Sequence, residues 1–219
     1  MPRPSRNIDQ LLINAALELL PAAGTRALSI RQVCEHAGVN LGMFHYHFKT
    51  RDVFLRAVLQ QMYDGMFATL ALEAQRHSAP QESLRAALMT LACFARDHRH
   101  LLVRLINDAI AGETVAIEFL QRNLPRHMGL LVEFIASAQR EGTLRRIPPL
   151  QAFAFLVGAV GASILLGTAA ADSELLPTPL VDQFERLILT DAAIALRIEM
   201  AVAGLAPPPA RKAKPGGRK

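Results

Sequence analysis

Residues 38–48, GVNLGMFHYHF, contain the densest group of side chains that could bind another molecule. Phe44 and Phe48 are four positions apart, so on a helix they share one inward face. The small and polar side chains around them are left at or near the outer side, where amide, imidazole and phenol groups can form hydrogen bonds. A short helix with an apolar anchor inside and polar groups outside is typical of entry into the major groove of DNA.

The other reactive side chains lack the spacing of a catalytic or metal site. His45 and His47 are two residues apart, as are His98 and His100, so each pair points to different sides of a helix. The two cysteines fall on apolar stripes, which favours buried free thiols, with a redox switch as the alternative. The sequence has no glycine-rich phosphate loop and no nucleophile with a neighbouring base signature. We therefore expect no enzymatic activity, no bound metal and no cofactor.

Helices must position the candidate binding residues. Tryptophan is absent, tyrosine occurs twice, and good helix formers dominate the chain, which predicts an all-α protein. Apolar residues at helical spacing from Ile8 to Leu20 predict a first helix that ends at Gly24. Ser29, followed three residues later by Gln32, has the spacing of a capping box at the start of a second helix.

The turn between the second and third helices is the central signal. Gly38 stops the second helix, and Asn40 is suited to cap the third. Val39 and Phe44 have the spacing of a hydrophobic staple. Two short helices joined by such a turn predict a helix-turn-helix.

The remainder of the chain also shows helical patterns. Thr50 is predicted to cap a long fourth helix. Pro125 is expected to kink or split one of the later helices. Those helices are predicted at about residues 82–97, 100–111, 113–141, 150–171 and 179–203.

The positive charge is concentrated at the C-terminus. Residues 207–219 have five basic and no acidic side chains, whereas residues 1–76 have a balance of +2 and residues 77–206 a balance of −2. The tail has no apolar residue larger than alanine, so we expect it to be disordered and to add non-specific attraction to phosphates.

The segment GVNLGMFHYHFKTRDVFL, together with Leu28-Ser29-Ile30-Arg31 and the apolar stripe of the first helix, resembles the core of the TetR family of bacterial transcriptional regulators. The resemblance is specific over about residues 7–59. It implies a helix-turn-helix DNA-binding domain at residues 1–60, which includes the start of helix 4. A larger helical effector-binding and dimerisation domain at residues 61–206 and the basic tail would follow.

The resemblance implies which residues contact DNA. Ser29 would cap helix 2 and touch a phosphate, and Arg31 could pair with guanine O6 and N7. Leu41 and His45 depart from the Lys and Tyr that the family usually has there, so the contact of His45 would depend on protonation. Arg51 matches a Lys that grips phosphate. The implied set is Ser29, Arg31, Asn40, Leu41, Gly42, Met43, His45, Tyr46, His47, Lys49 and Arg51.

The resemblance also implies a ligand pocket among the middle helices and a dimer interface formed by the last two. An apolar or amphipathic small molecule suits the candidate pocket residues. These are Met62, Met66, Phe67, Leu70, Phe94, Arg104, Leu105, Asn107, Asp108, Phe119, His127, Leu131 and Phe134. The candidate interface residues are Ala154, Gly158, Gly161, Ala162, Leu165, Phe184, Leu187 and Ile188.

The predicted function is a sequence-specific regulator, a homodimer that binds a palindromic operator as a repressor and is released by an effector. A non-specific architectural DNA-binding protein is one alternative. Residues 152–171 carry no charge over a length that could span a bilayer, so a membrane-associated helical protein is another. The stretch is rich in Ala and Gly and lacks an aromatic belt, which favours a protein interface and no membrane. The polar, basic start of the chain does not resemble a signal peptide, so we expect a cytoplasmic protein.

Overall fold

The computed structural model of the chain describes residues 7–208, except for the side chains of residues 74 and 75. All regular elements in this range are helical, as predicted. Most of the predicted basic tail lies outside the described residues. The helices are α1 (Ile8–Ala27), α2 (Ile30–Ala37), α3 (Leu41–Phe48), α4 (Arg51–Arg76), α5 (Pro80–Asp97), α6 (Arg99–Ile110), α7 (Thr114–Glu141), α8 (Pro149–Val157), α9 (Ser163–Asp172), α10 (Thr178–Ile188) and α11 (Asp191–Gly204), with a π-helical turn at Gly158–Ala162.

The second and third helices begin and end where the sequence predicts, whereas α1 extends past its predicted end at Gly24. Gly24, with φ 71° and ψ 173°, interrupts α1, although a further helical turn continues to Ala27. Ser29 and Gln32 form the predicted capping box at the start of α2. Gly38 ends α2 in the left-handed conformation, and the Asn40 side chain accepts a hydrogen bond from the backbone of Met43 at 2.9 Å. These caps fix the turn of the helix-turn-helix.

Two later predictions of helix boundaries need correction. The chain at residues 179–203 was expected to form one helix, but it is divided after Ile188. Thr190 caps the second part by accepting a hydrogen bond from the backbone N–H of Ala193, and this local cap competes with continuation of the preceding helix. The expected helix at 150–171 contains the π-helical turn. In contrast, α7 continues through Pro125 without being split.

The apolar side chains form two cores. The first joins α1–α3 and the start of α4 to α6 and the start of α7, with Phe44 and Leu105 both fully buried in it. The second joins the remaining part of α4 to α5, the rest of α7 and helices α8–α11. Because α6 belongs to the first core, part of the body packs directly against the N-terminal helices.

Candidate DNA-binding surface and internal cavity

The outer side of α3 presents side chains that the protein itself does not cover. Leu41 is 49% exposed and Tyr46 is 77% exposed, and Gly42 and His45 are exposed beside them. On the inner side, the Phe44 ring packs edge-on against Phe54, with centroids 5.2 Å apart. The sequence prediction of an anchored inner face and an open outer face is therefore correct for this helix.

Two other residues predicted to contact DNA are less exposed than those on the open side of α3. Met43 and His47 are of intermediate exposure, and the ring of His47 lies edge-on to Tyr46 at 5.2 Å. The Nε2 atom of His47 is buried without a hydrogen-bond partner among the described residues. These two side chains face the edge of the surface, whereas Tyr46 projects from it.

Arg31 lies at the start of α2 with its side chain 87% exposed. Its Nε atom donates to Glu35 at 2.8 Å on the same helix, and this carboxylate raises the pKa of Arg31. An exposed pair of this kind is held loosely. The guanidinium can therefore leave Glu35 when a stronger partner is near.

The Arg51 side chain, which the sequence predicts to contact phosphate, binds backbone carbonyls within the protein. Its guanidinium turns inward and donates to the backbone carbonyls of Leu28 at 3.0 Å and Arg26 at 3.1 Å, and also to that of Thr25. The side chain thus ties the start of α4 to the end of α1. Lys49, which lies just before α4 and has φ 63°, is exposed to solvent.

Asp108 holds the same backbone segment from α6. Its Oδ2 atom accepts from the backbone N–H and the hydroxyl of Thr25, both at 2.7 Å, and from the backbone N–H of Arg26 at 3.2 Å. A Cβ at Gly24 would lie only 2.8 Å from this oxygen, so the close approach requires glycine. Residues 24–28 are therefore clamped between two side chains. Arg51 donates hydrogen bonds to their backbone carbonyls, and Asp108 accepts hydrogen bonds from their backbone N–H groups.

A cavity of about 250 Å³ lies among helices α4–α9 and the π-helical turn. No Asp, Glu, Lys or Arg is among the side chains that line it. The lining consists of Met62, Tyr63, Met66, Leu88, Leu91, Ala92, Phe94, Ala95, Leu102, Leu105, Ile106, Phe119, Leu120, Asn123, Leu124, His127, Leu131, Val157, Val160, Gly161 and Leu165.

The structure brings about half of the predicted pocket residues to this cavity. Those at the cavity are Met62, Met66, Phe94, Leu105, Phe119, His127 and Leu131; those elsewhere are Phe67, Leu70, Arg104, Asn107, Asp108 and Phe134. Arg104 and Asn107 are exposed to solvent, and Asp108 forms the clamp on α1. Sequence reasoning missed Tyr63 and Asn123, although a polar residue on the inner stripe of a helix is the signal that would have indicated them.

The polar side chains of the cavity form a cluster between α4 and α7. The Tyr63 hydroxyl donates to the backbone carbonyl of Asn123 at 2.9 Å and lies 3.3 Å from Nδ1 of His127. Burial raises the pKa of Tyr63 and lowers the pKa of His127, so both groups are held in their neutral forms. On the outer side of Tyr63, the Arg126 guanidinium lies 5.0 Å from the ring centroid.

The last helices expose an apolar face. Phe155 is 48%, Leu166 is 69% and Leu187 is 66% exposed. Among the candidate interface residues, Ala154, Gly158 and Leu187 are exposed, and Gly161, Ala162, Leu165, Phe184 and Ile188 are half-buried. Within residues 7–208, one helical stretch, Pro149–Asp172, is long and apolar enough to cross a membrane by length and composition, and 28% of its most apolar window is buried.

The cysteine and histidine side chains do not form a metal-binding cluster in the described part of the chain. Cys34 is buried and Cys93 half-buried, and burial raises the pKa of both thiols, which disfavours the reactive thiolate. Across the described part of the chain, no three His, Cys, Asp or Glu side chains form a group that could hold a metal ion.

Comparison with known proteins gives a consistent result. Residues 12–58 match the family model described as bacterial regulatory proteins, tetR family. The transcriptional repressor KstR2 of Mycolicibacterium smegmatis is 24% identical over 146 residues, which cover 65% of this chain and 70% of that protein. The ketosteroid transcriptional regulator KstR2 of Mycobacterium tuberculosis has the same fold, with a TM-score of 0.67 at 16% identity, over 93% of this chain and 97% of that one. FadR from Bacillus subtilis, solved in complex with stearoyl-CoA, has a TM-score of 0.61 at 12% identity, over 83% and 98% of the two chains.

The matched segment spans the end caps, the tight turn and the buried phenylalanine anchors described above. It is followed by the helical C-terminal part that the structural relatives share. Residues 12–58 therefore form a DNA-binding segment of the TetR family of bacterial transcriptional regulators.

Proposed function

We propose that this regulator is a cytoplasmic homodimeric repressor that binds a palindromic operator and is released from it by a small apolar effector. The observation that carries the proposal is the double role of α6. Leu105 and Ile106 of this helix line the cavity, and Asp108, two residues further on, clamps the end of α1. A ligand that enlarges the cavity would push on α6, and the clamp would pass the displacement to the DNA-binding helices. Release requires that the ligand bind the DNA-free arrangement more tightly than the DNA-bound one.

The proposed DNA surface comprises the eleven residues predicted from the sequence, with Arg51 in an altered role. Leu41, Gly42, His45 and Tyr46 would enter the groove, because they form the open side of α3. In this proposal, Arg51 positions the turn before α2 and does not itself grip phosphate. The division into a DNA-binding domain at residues 1–60 and an effector and dimer domain at 61–206 is part of the same proposal.

Two relatives make an apolar effector plausible. One is described as a ketosteroid regulator, and another was solved with stearoyl-CoA, so each name includes a molecule with a large apolar part, a steroid skeleton or an acyl chain. The cavity here is similarly uncharged in its lining. At about 250 Å³ it exceeds the roughly 150 Å³ that can hold benzene and is somewhat below the range of about 300 Å³ and above that is usual for drug-sized ligands.

The decisive test is selection of bound sequences from random duplex DNA by the full-length protein. We expect enrichment of an inverted repeat whose half-sites are about one helical turn apart, because each subunit of a symmetric dimer presents one α3. Equal retention of all sequences would instead indicate a non-specific architectural protein. The salt dependence should be measured for both selected and random DNA, since phosphate contacts dominate non-specific binding.

Replacement of Arg31 by alanine is expected to weaken binding to the selected operator roughly 10- to 100-fold, as loss of a bidentate guanine contact would. Binding to random DNA should change far less. The measurement is a titration of labelled duplexes by fluorescence anisotropy. Arg140, exposed near the end of α7, provides a matched control, since its replacement by alanine removes the same charge outside the DNA-binding helices and outside the proposed dimer interface. A parallel loss on both kinds of DNA would contradict base reading by Arg31.

Replacement of Leu187 by glutamate is expected to convert the dimer to a monomer, because the exposed leucine would lie in the apolar interface proposed for α8–α11. Sedimentation velocity measures the change. Leu72, which is 60% exposed on α4, gives the matched control, and its replacement by glutamate should leave the dimer intact. A dimer that survives the change at Leu187 would place the interface elsewhere.

A further inference from the structure

The hydrogen bonds at the polar end of the cavity leave one side-chain atom uncommitted. The Tyr63 hydroxyl has a single proton, and that proton is donated to the carbonyl of Asn123. The contact of 3.3 Å between this hydroxyl oxygen and Nδ1 of His127 therefore requires the proton to be on Nδ1. In a neutral imidazole the other nitrogen, Nε2, is then a hydrogen-bond acceptor.

The other polar side chain in the lining is fully engaged. Asn123 donates from its amide nitrogen to the carbonyl of Phe119 at 3.0 Å and to Gln60 at 3.3 Å. Its amide oxygen accepts from Gln60 at 3.3 Å and from Arg126 at 3.4 Å. This amide is therefore unavailable to a ligand. Nε2 of His127 has no hydrogen-bond partner among the described residues.

We infer that the effector is a neutral, mostly apolar molecule with one hydroxyl group, and that this hydroxyl donates a hydrogen bond to Nε2 of His127. The inference rests on the proposed effector site and names the class of ligand it would take. A carboxylate would find no cation and no free donor among the lining side chains, and its burial there would be costly. A ligand with an ether in place of the hydroxyl would leave Nε2 without a donor.

Tyr63 is the positioning residue for this contact. Its hydroxyl fixes the proton on Nδ1 and so keeps Nε2 in the acceptor form. Burial, which lowers the pKa of His127, supports the same neutral state. Replacement of Tyr63 by phenylalanine would remove this control while retaining the aromatic ring that packs at 5.8 Å from the ring of Phe67.

Three probes of similar size test the inference on the full-length protein: 2-naphthol, 2-methoxynaphthalene and 2-naphthoate. We expect 2-naphthol to bind about tenfold more tightly than the methoxy compound in isothermal titration calorimetry, since one hydrogen bond contributes about 0.5–1.5 kcal/mol. The naphthoate should bind most weakly. In His127→Leu the preference for naphthol over its ether should fall to about one, with both compounds still bound.

His98→Leu is the matched control, because His98 is also a partly buried histidine but does not line the cavity, and it should keep the tenfold preference. Tyr63→Phe should reduce the preference without abolishing binding of the ether, and it provides an independent readout should His127→Leu fold poorly in circular dichroism. Equal affinities of wild-type protein for naphthol and its ether, or tightest binding of the naphthoate, would overturn the inference. Either result would still support the cavity as the effector site. Failure of all three probes to bind at their solubility limits would instead count against the effector site itself.

Discussion

Replacement of Asp108 by alanine is expected to lower the free energy of unfolding by about 3 kcal/mol, because three donors lose a charged acceptor. One of these donors is the hydroxyl of Thr25, a residue that is fully buried, so water cannot readily replace the carboxylate. Urea denaturation followed by circular dichroism measures the change. Asp108→Asn keeps an oxygen acceptor and should lose roughly half as much.

The same substitution should uncouple the effector from DNA. Without the clamp, α6 can move in response to a ligand while the end of α1 stays in place. We therefore expect a cavity ligand to retain its affinity but to lose most of its effect on operator binding. Glu133, exposed on α7, supplies the control: Glu133→Ala should alter neither stability nor release. An Asp108→Ala protein as stable as wild type and fully released by ligand would refute the role of the clamp.

Replacement of Phe44 by alanine is expected to cost about 3–5 kcal/mol, the usual range for a fully buried phenylalanine. Phe44 is completely inaccessible and contacts both Phe48 and Phe54 edge-on or at a tilt. Its loss removes the anchor of α3, so operator binding should be lost together with stability. Thermal and urea unfolding, with anisotropy on the selected operator, give the two readouts.

Tyr46, two positions along the same helix, separates stability from DNA binding. Because Tyr46 is 77% exposed, Tyr46→Ala should change the free energy of unfolding by less than about 0.5 kcal/mol. It should nevertheless weaken operator binding. If Tyr46→Ala proved as destabilising as Phe44→Ala, the assignment of inner and outer faces of α3 would be incorrect.

The N-terminal helices could be predicted closely because their signals are local. Ser29 with Gln32, Gly38, and Asn40 each act through backbone groups within a few residues, so the sequence itself contains the interaction. The break at Thr190 is also local, but the apolar pattern across it is continuous, and periodicity outweighed the cap in the prediction. Local signals therefore predict a helix boundary correctly where the apolar periodicity and the capping residue indicate the same position.

The placement of Arg51, Asp108 and Tyr63 could not be predicted from spacing. The bond from Thr25 to Asp108 joins residues 83 apart in the chain, and that from Tyr63 to Asn123 joins residues 60 apart. Such contacts depend on how helices cross, which no short segment encodes. The resemblance indicated a cation at Arg51 but gave no information about which way its guanidinium turns.

The π-helical turn at Gly158–Ala162 has a consequence for the register of the helix in which it lies. A π turn holds one more residue than an α turn, so every side chain after it is rotated by about 100° relative to an uninterrupted α-helix. In the resulting register, Leu165 lines the cavity while its neighbour Leu166 faces outward. A single-residue deletion between 158 and 162 that restores a regular α-turn would thus keep the present facing of α9, whereas a regular α-turn formed without a deletion would rotate all of its side chains by about 100°. The phase of the helix, and not only the identity of its residues, sets which side chains serve the cavity and which serve the outer face.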